Sequence, residues 1–269
     1  MGVGLYMKSR MILNEHSLWD LLTNADWKPL SEEFGFLPFI IGTLAVTALS
    51  ILIALPISLL SAIYLSEYAH SWTKRVIFPV LDILAGIPSV VFGVWGTLII
   101  VPWIADKLGP HFVEYTSGYT VLASGIVLGV MILPILVSLF IEIFTIVPQD
   151  YRDAAASLGA TKWQISTKVI LRKSMPGIIA AVVLAISKAF GETIAVLMVC
   201  GNYAEIPHSL FDPCYPLPAL IANNYGEMLS LPLYESALMF AAFILFFIIL
   251  VFNLASRMML QHVEKKFKL

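Results

Sequence analysis

Apolar residues fill five long stretches of the chain, 38–65, 76–104, 120–147, 176–200 and 234–257, separated by polar or Pro/Gly-rich sequence. A helix needs about 20 mostly apolar residues to cross a bilayer, so each stretch predicts a transmembrane helix. The runs are continuous and do not alternate with polar positions, which excludes a membrane β-barrel. The expected fold is an all-α polytopic membrane protein with five transmembrane helices. Several runs carry Pro and Gly, as in "GIPSVVFGVWG" (86–96) and "GVMILPILVS" (129–138). Membrane helices tolerate these residues because neighbouring helices satisfy the freed backbone groups. Small residues also let helices approach closely. Pro56, Pro88 and Pro134 are candidate bend points.

The polar segments set the orientation, since Lys and Arg accumulate on the cytoplasmic side. Lys74 and Arg75 lie in 66–75, and Arg152, Lys162, Lys168, Arg172 and Lys173 lie in 148–175. Arg257, Lys265, Lys266 and Lys268 lie at the C-terminal end. Segment 105–119 holds only Lys107, and 201–233 holds no Lys or Arg. The loops 66–75 and 148–175 and the tail 261–269 are therefore expected in the cytoplasm, with 201–233 outside. Residues 38–260 form the transmembrane domain. Residues 1–37 are then an external segment, with Trp19 and Trp27 near the interface. "MGVGLYMKSRMIL" is too short to span and residues 1–37 contain no signal peptide, so a missing first helix or a misassigned start is expected.

Composition agrees with a membrane protein. The chain is 59% hydrophobic and 13% charged, whereas soluble domains carry about 25% charged residues. With a net charge of −2 and no basic arm, nothing points to nucleic acid. No HExxH, CxxC or clustered His/Cys spacing suggests a metal, and no GxxxxGK[ST] loop suggests that this chain holds ATP. Cys200 and Cys214 can pair in an oxidising outer compartment, although two separate thiols in apolar surroundings are expected.

The largest cytoplasmic loop reads "PQDYRDAAASLGATKWQISTKVILRKSMPGI" (148–178). A short helix over Asp153–Leu158, a break at Gly159 and a resumed amphipathic helix with Trp163, Val169 and Ile170 on its apolar face are expected. Such a layout offers a flat surface of small side chains at Ala154 and Ala155; a solvated connecting loop is the plain alternative. The spacing resembles the EAA motif of ABC importer permeases. Asp153 stands for its Glu, Ala154, Ala155 and Gly159 match, and Val169 and Leu171 hold the apolar places. Arg172 replaces the motif's Pro, and Pro176 follows four residues later.

The remaining segments narrow the resemblance. "DWKPLSEEFGFLPFIIGTL" (26–44), "EYA" (67–69), "AGIPSVVFGVWG" (85–96), "FGETIAVLMVCGN" (190–202) and "SLFDPCYPLPALIANNYGE" (209–227) are similar to phosphate-specific permeases of PstC type. The resemblance covers about 26 to 260, and members typically have six spans, with one before the "WKP" segment. It implies the type I ABC importer permease architecture in a prokaryotic plasma (inner) membrane. It also implies the partners: a second permease of PstA type, an ATPase dimer of PstB type carrying ATP and Mg, and an extracytoplasmic phosphate-binding protein of PstS type. Asp153, Ala154, Ala155 and Gly159 would then couple to the ATPase.

Two charges interrupt the fourth run, "AISKAFGETIAVLMV" (185–199). An ionisable group at bilayer depth costs about 3 kcal/mol on insertion scales. Lys188 and Glu192 are four residues apart, so on a continuous helix they share a face and act either in the substrate path or as a structural pair. Members of the resembled family usually carry Arg where Lys188 stands, and Lys lacks the bidentate fork that suits oxyanions. Thr193 and Ser89 are further candidate path residues, the second with the alternative of bonding its own helix backbone. Asp82 is expected to pair with Lys74 or Arg75, Glu142 to reach the cytoplasmic interface, and Asn202, Asn223 and Asn224 to form turns. The function classes that remain are a phosphate importer permease, a permease for sulfate, molybdate or tungstate, and a proton-coupled secondary transporter or intramembrane enzyme.

Overall fold

The computed structural model of the chain describes residues 1–226 and 231–267, with side chains as far as Met258. Among the described residues, four helices are long and apolar enough to cross a membrane: Leu37–Tyr68, Ser89–His111, Val121–Thr145 and Pro232–Met258. A fifth crossing is reached when Lys162–Lys173 and Met175–Gly191, bent by 69° at their junction, count as one span. Strand is confined, in these residues, to an antiparallel hairpin of Trp27–Lys28 with Glu33–Phe34. The side chains of Lys265 and Lys266, and all of Lys268, lie outside the described residues.

Two of the five apolar stretches fold differently from their expected bounds. The stretch 76–104 is broken: one helix ends at Gly86 and the next begins at Ser89. Pro88 has no N–H and biases the residue before it away from helix, and Ile87 is extended, with φ −66° and ψ 129°. Pro56 and Pro134 lie inside unbroken helices, so Pro88 alone of the three candidate bend points sits at a break. The stretch 176–200 stops being helical at Gly191 and resumes at Ile194.

The chain divides into two compact units. The first contains 1–50, 88–128 and 189–251. Its aromatic centre is Trp27, whose ring meets Phe34, Phe36 and Phe39 edge-on at 5.6, 5.4 and 4.9 Å and Tyr234 at 6.0 Å. Gly35 lets the hairpin close on the preceding loop; a Cβ there would collide with the Asn24 carbonyl. The short helices Gly2–Lys8 and Arg10–Glu15 lie against the Pro232–Phe267 helix: the Tyr6 and Phe243 rings are 6.1 Å apart, Lys8 pairs with Glu235 at 2.9 Å and the Ile12 N–H donates to the Ser236 hydroxyl at 3.1 Å. Trp19 is exposed, whereas Trp27 is packed in the cluster.

The second unit contains 51–87, 129–188 and 252 onward. Gly177 lets the Met175–Gly191 helix approach the Val121–Thr145 helix, since a Cβ would lie 2.8 Å from the Ile143 side chain. Lys74 donates to the Ser66 carbonyl at 2.9 Å, at the end of the Leu37–Tyr68 helix. It therefore serves a helix terminus, where a cation is favourable, and Asp82 stays exposed without either expected ion pair.

Candidate functional site

The 148–178 segment folds as a helix, a tight reversal and a second helix. Gln149–Ser157 is helical and carries no buried residue. Asp153 and Ala154 are exposed, Ala155 is half-buried, and Leu158 is 90% exposed. Gly159 has φ +82°. Its N–H bonds the Ala156 carbonyl and the Ala160 N–H bonds the Ala155 carbonyl, the paired bonds that end a helix through a left-handed glycine. Thr161 and Gln164 then start the next helix with reciprocal side-chain to backbone bonds, a capping box. The expected break at Gly159 is there.

The second helix differs in its face. Ile165, Ser166 and Ile170 are its buried positions, Val169 is half-buried, and Trp163 is 56% exposed. A π-helical turn spans Ile165–Ile170, and its wider turn places residues five apart on one side. A period of 3.6 residues puts Trp163 on the wrong face.

Arg152 anchors the first helix. Its guanidinium bonds the Glu67 carboxylate at 3.0 and 3.4 Å, the Phe144 carbonyl at 3.0 Å and the Val147 carbonyl. Both side chains of the pair are 15% exposed. One side chain thus ties Gln149–Ser157 to the ends of the Leu37–Tyr68 and Val121–Thr145 helices. Sequence reasoning assigned neither residue this role. The "EYA" at 67–69 was a signal without a partner, because the pair is 85 positions apart.

The charged stretch does not form a single helix face. Gly191 ends the helix, and glycine is a poor helix former because it is conformationally free. Lys188 remains on the Met175–Gly191 helix, exposed and without an ion pair among the described residues. The Glu192 carboxylate instead accepts from the Ala195 N–H at 3.3 Å, at the start of the Ile194–Leu197 helix, where a negative charge is favourable. Thr193 bonds the Gly191 carbonyl at 3.3 Å.

The Ile194–Leu197 turn is held by "FGVWG". A Cβ on Gly93 would lie 2.6 Å from the Met198 sulfur, and one on Gly96 would lie 2.9 Å from Val199. Thr97 donates to the Met198 carbonyl at 3.1 Å. The glycines therefore do specific work: they seat the segment that follows Glu192 and Thr193. Ser89, half-buried, is the first residue of the Gly93 helix.

Beyond this turn Asn202, at φ +54°, donates to the Leu197 carbonyl at 3.0 Å, the expected turn. Asn223 and Asn224 end a helix, Leu217–Asn224, and both donate to the Tyr215 hydroxyl. Among the described residues no group of three or more His, Cys, Asp or Glu side chains is arranged to hold a metal.

Residues 54–269 match the family model "Binding-protein-dependent transport system inner membrane component". The chain is 35% identical over 262 residues to the phosphate transport system permease protein PstC of Pasteurella multocida, covering 92% of this chain and 81% of that one. It is 39% identical over 253 residues to the probable ABC transporter permease protein YqgH of Bacillus subtilis, covering 91% and 80%. Against the probable phosphate transport system permease protein PstC of Methanocaldococcus jannaschii it is 33% identical over 267 residues, covering 94% and 84%. In fold it is similar to a chain of the inward-facing MetNI methionine ABC transporter, with TM-score 0.65 at 18% identity over 88% of this chain and 99% of that one. A chain of a bacterial alginate ABC transporter, solved with its periplasmic protein, gives TM-score 0.63 at 16% identity, covering 97% and 87%. The chain belongs to the family of binding-protein-dependent transport system inner membrane components and, within it, to the PstC-type permeases: it is a multi-pass inner-membrane transport subunit, not an enzyme.

Proposed function

We propose that this chain is a transmembrane subunit of an ATP-driven importer of inorganic phosphate. It lines the translocation path with a second permease of PstA type and receives phosphate from an extracytoplasmic binding protein of PstS type. It docks an ATPase pair of PstB type, which holds ATP and Mg, through Asp153, Ala154, Ala155 and Gly159. Segment 201–233 faces outward and the C-terminus is cytoplasmic. The observation that carries the reading is Lys188, a cation on an apolar helix with no ion pair among the described residues. An intramembrane charge of that kind calls for a water-lined path and an anionic visitor. Relatives that carry phosphate transport in their names support phosphate as that anion. Glu192, which accepts from the Ala195 N–H, and Thr193, whose hydroxyl donates to the Gly191 carbonyl, shape the path, and Ser89 offers it a hydroxyl donor.

Coupling follows from the anchors. Closure of the ATPase pair displaces Gln149–Ser157. Through Arg152 the displacement reaches the ends of two helices. Through the 69° bend it reaches the helix that carries Lys188. Two packings of these helices, biased by ATP and by substrate, would alternate access. A second reading has sulfate, molybdate or tungstate as the cargo, because Lys188 attracts an anion as a point charge and selects little among them by geometry. Uptake of labelled anions into proteoliposomes, assembled with the partner subunits, separates them. ATP-dependent phosphate uptake is expected. Lys188→Ala should lower it at least about tenfold, the weight of one charged hydrogen bond of about 1.5–3 kcal/mol, with the ATPase still bound. Uptake without ATP would overturn both readings, and movement of sulfate but not phosphate would select the second.

A further inference from the structure

Cys200 and Cys214 are both fully buried, and the backbone places them side by side. The Cys214 N–H donates to the Cys200 carbonyl at 2.8 Å, and residues 201 and 214 form a parallel bridge. The Cys200 thiol donates to Asn202 Oδ1 at 3.1 Å. Two consecutive left-handed residues, Gly201 at φ +88° and Asn202 at φ +54°, turn the chain here. A side chain at Gly201 has no room, since its Cβ would lie 2.7 Å from Pro213. Backbone geometry therefore brings the two cysteines side by side. The direct bond from the Cys214 N–H to the Cys200 carbonyl keeps the two Cα atoms near the roughly 4.4–6.8 Å separation that a disulfide requires.

We propose that Cys200 and Cys214 are oxidised to a disulfide in the mature protein, a covalent staple that closes the 201–213 loop on the outer side of the membrane. The proposal rests on the outward orientation of 201–233 given above, because an oxidising compartment is what lets such a bond form and persist. Oxidation precedes burial, since a buried thiol is inert. The thiolate of one cysteine attacks a disulfide oxidant of the outer compartment, forming a mixed disulfide and releasing one oxidant thiolate. The second cysteine thiolate then attacks the first cysteine's sulfur, forming the staple and releasing the other oxidant thiolate. Two cysteine sulfurs are oxidised, the oxidant's two sulfurs are reduced, and the two thiol protons pass to the released thiolates. Once formed, the staple fixes one wall of a pocket of about 340 Å³ lined by Tyr119, Leu197, Met198, Asn202 and Pro213, and its burial shields it from reductants.

Membranes bearing the assembled transporter are acid-quenched and denatured, free thiols are alkylated, and the chain is digested without reductant for mass spectrometry. A peptide linking Cys200 to Cys214, with neither alkylated, is expected. Recovery of both cysteines alkylated overturns the staple. Glu205 is exposed in the same loop, so Glu205→Cys in a Cys200→Ala, Cys214→Ala background reports orientation by labelling with a membrane-impermeant maleimide. Free thiols with position 205 labelled from outside would mean that the staple falls and the orientation stands. Free thiols with position 205 shielded would mean that both fall.

Discussion

Arg152→Met removes the guanidinium from the Gln149–Ser157 anchor and keeps most of the side chain's apolar length. The Glu67 carboxylate and the carbonyls of Phe144 and Val147 then lose their donor. Water replaces it incompletely, because the Glu67 side chain is only 15% exposed. Hydrogen bonds to charged groups contribute about 1.5–3 kcal/mol each, and removing one partner of a buried pair costs about 3–5 kcal/mol. The 3.4 Å bond adds little, so about 3 kcal/mol is expected, an approximately 150-fold shift toward an undocked helix. Glu67→Gln keeps an acceptor and loses the charge, and should cost about 1–2 kcal/mol. The two changes share one contact, so their effects should fall short of additivity by about 1 kcal/mol or more. Hydrogen exchange of the amides at 149–158, measured on the assembled transporter, gives the free energies, and retention of the ATPase during purification reports docking. Unchanged exchange in Arg152→Met, or strict additivity in the double variant, would refute the anchor.

Gly93→Val would drive a side chain into Met198 and Ala195; overpacking of about 1–3 kcal/mol should lower the transporter's melting temperature and its uptake together, and an unchanged melting temperature counts against the close approach. Gly159→Ala meets no atom within 4 Å but keeps φ +82°, so it should cost only the backbone term of about 1–2 kcal/mol. Faster exchange confined to 155–160 with the ATPase retained is expected, whereas a bulky Ala155→Trp should release the ATPase. Lys188→Arg keeps the cation and adds a fork for oxyanions. It should preserve ATP-dependent uptake where Lys188→Ala does not, and equal uptake by the two variants would remove Lys188 from the path.

The five apolar runs make the class of fold legible in the sequence. A bilayer tests each segment separately for length and apolarity, so one-dimensional composition carries that information. The Gly159 turn was legible for a similar reason, since a helix followed by a left-handed glycine is a local event. The break after Gly86 had a local cause too, in Pro88. The exit of Glu192 from its helix did not show in the pattern, because apolar residues continue through 194–199 whether or not the helix does. The pairing of Arg152 with Glu67, the glycine seat at Gly93 and Gly96, and the meeting of Cys200 with Cys214 were decided by tertiary structure alone. Each joins residues far apart in the chain or across a reversal of its direction. Such contacts depend on where intervening turns send the backbone, and hydrophobic periodicity is silent about that.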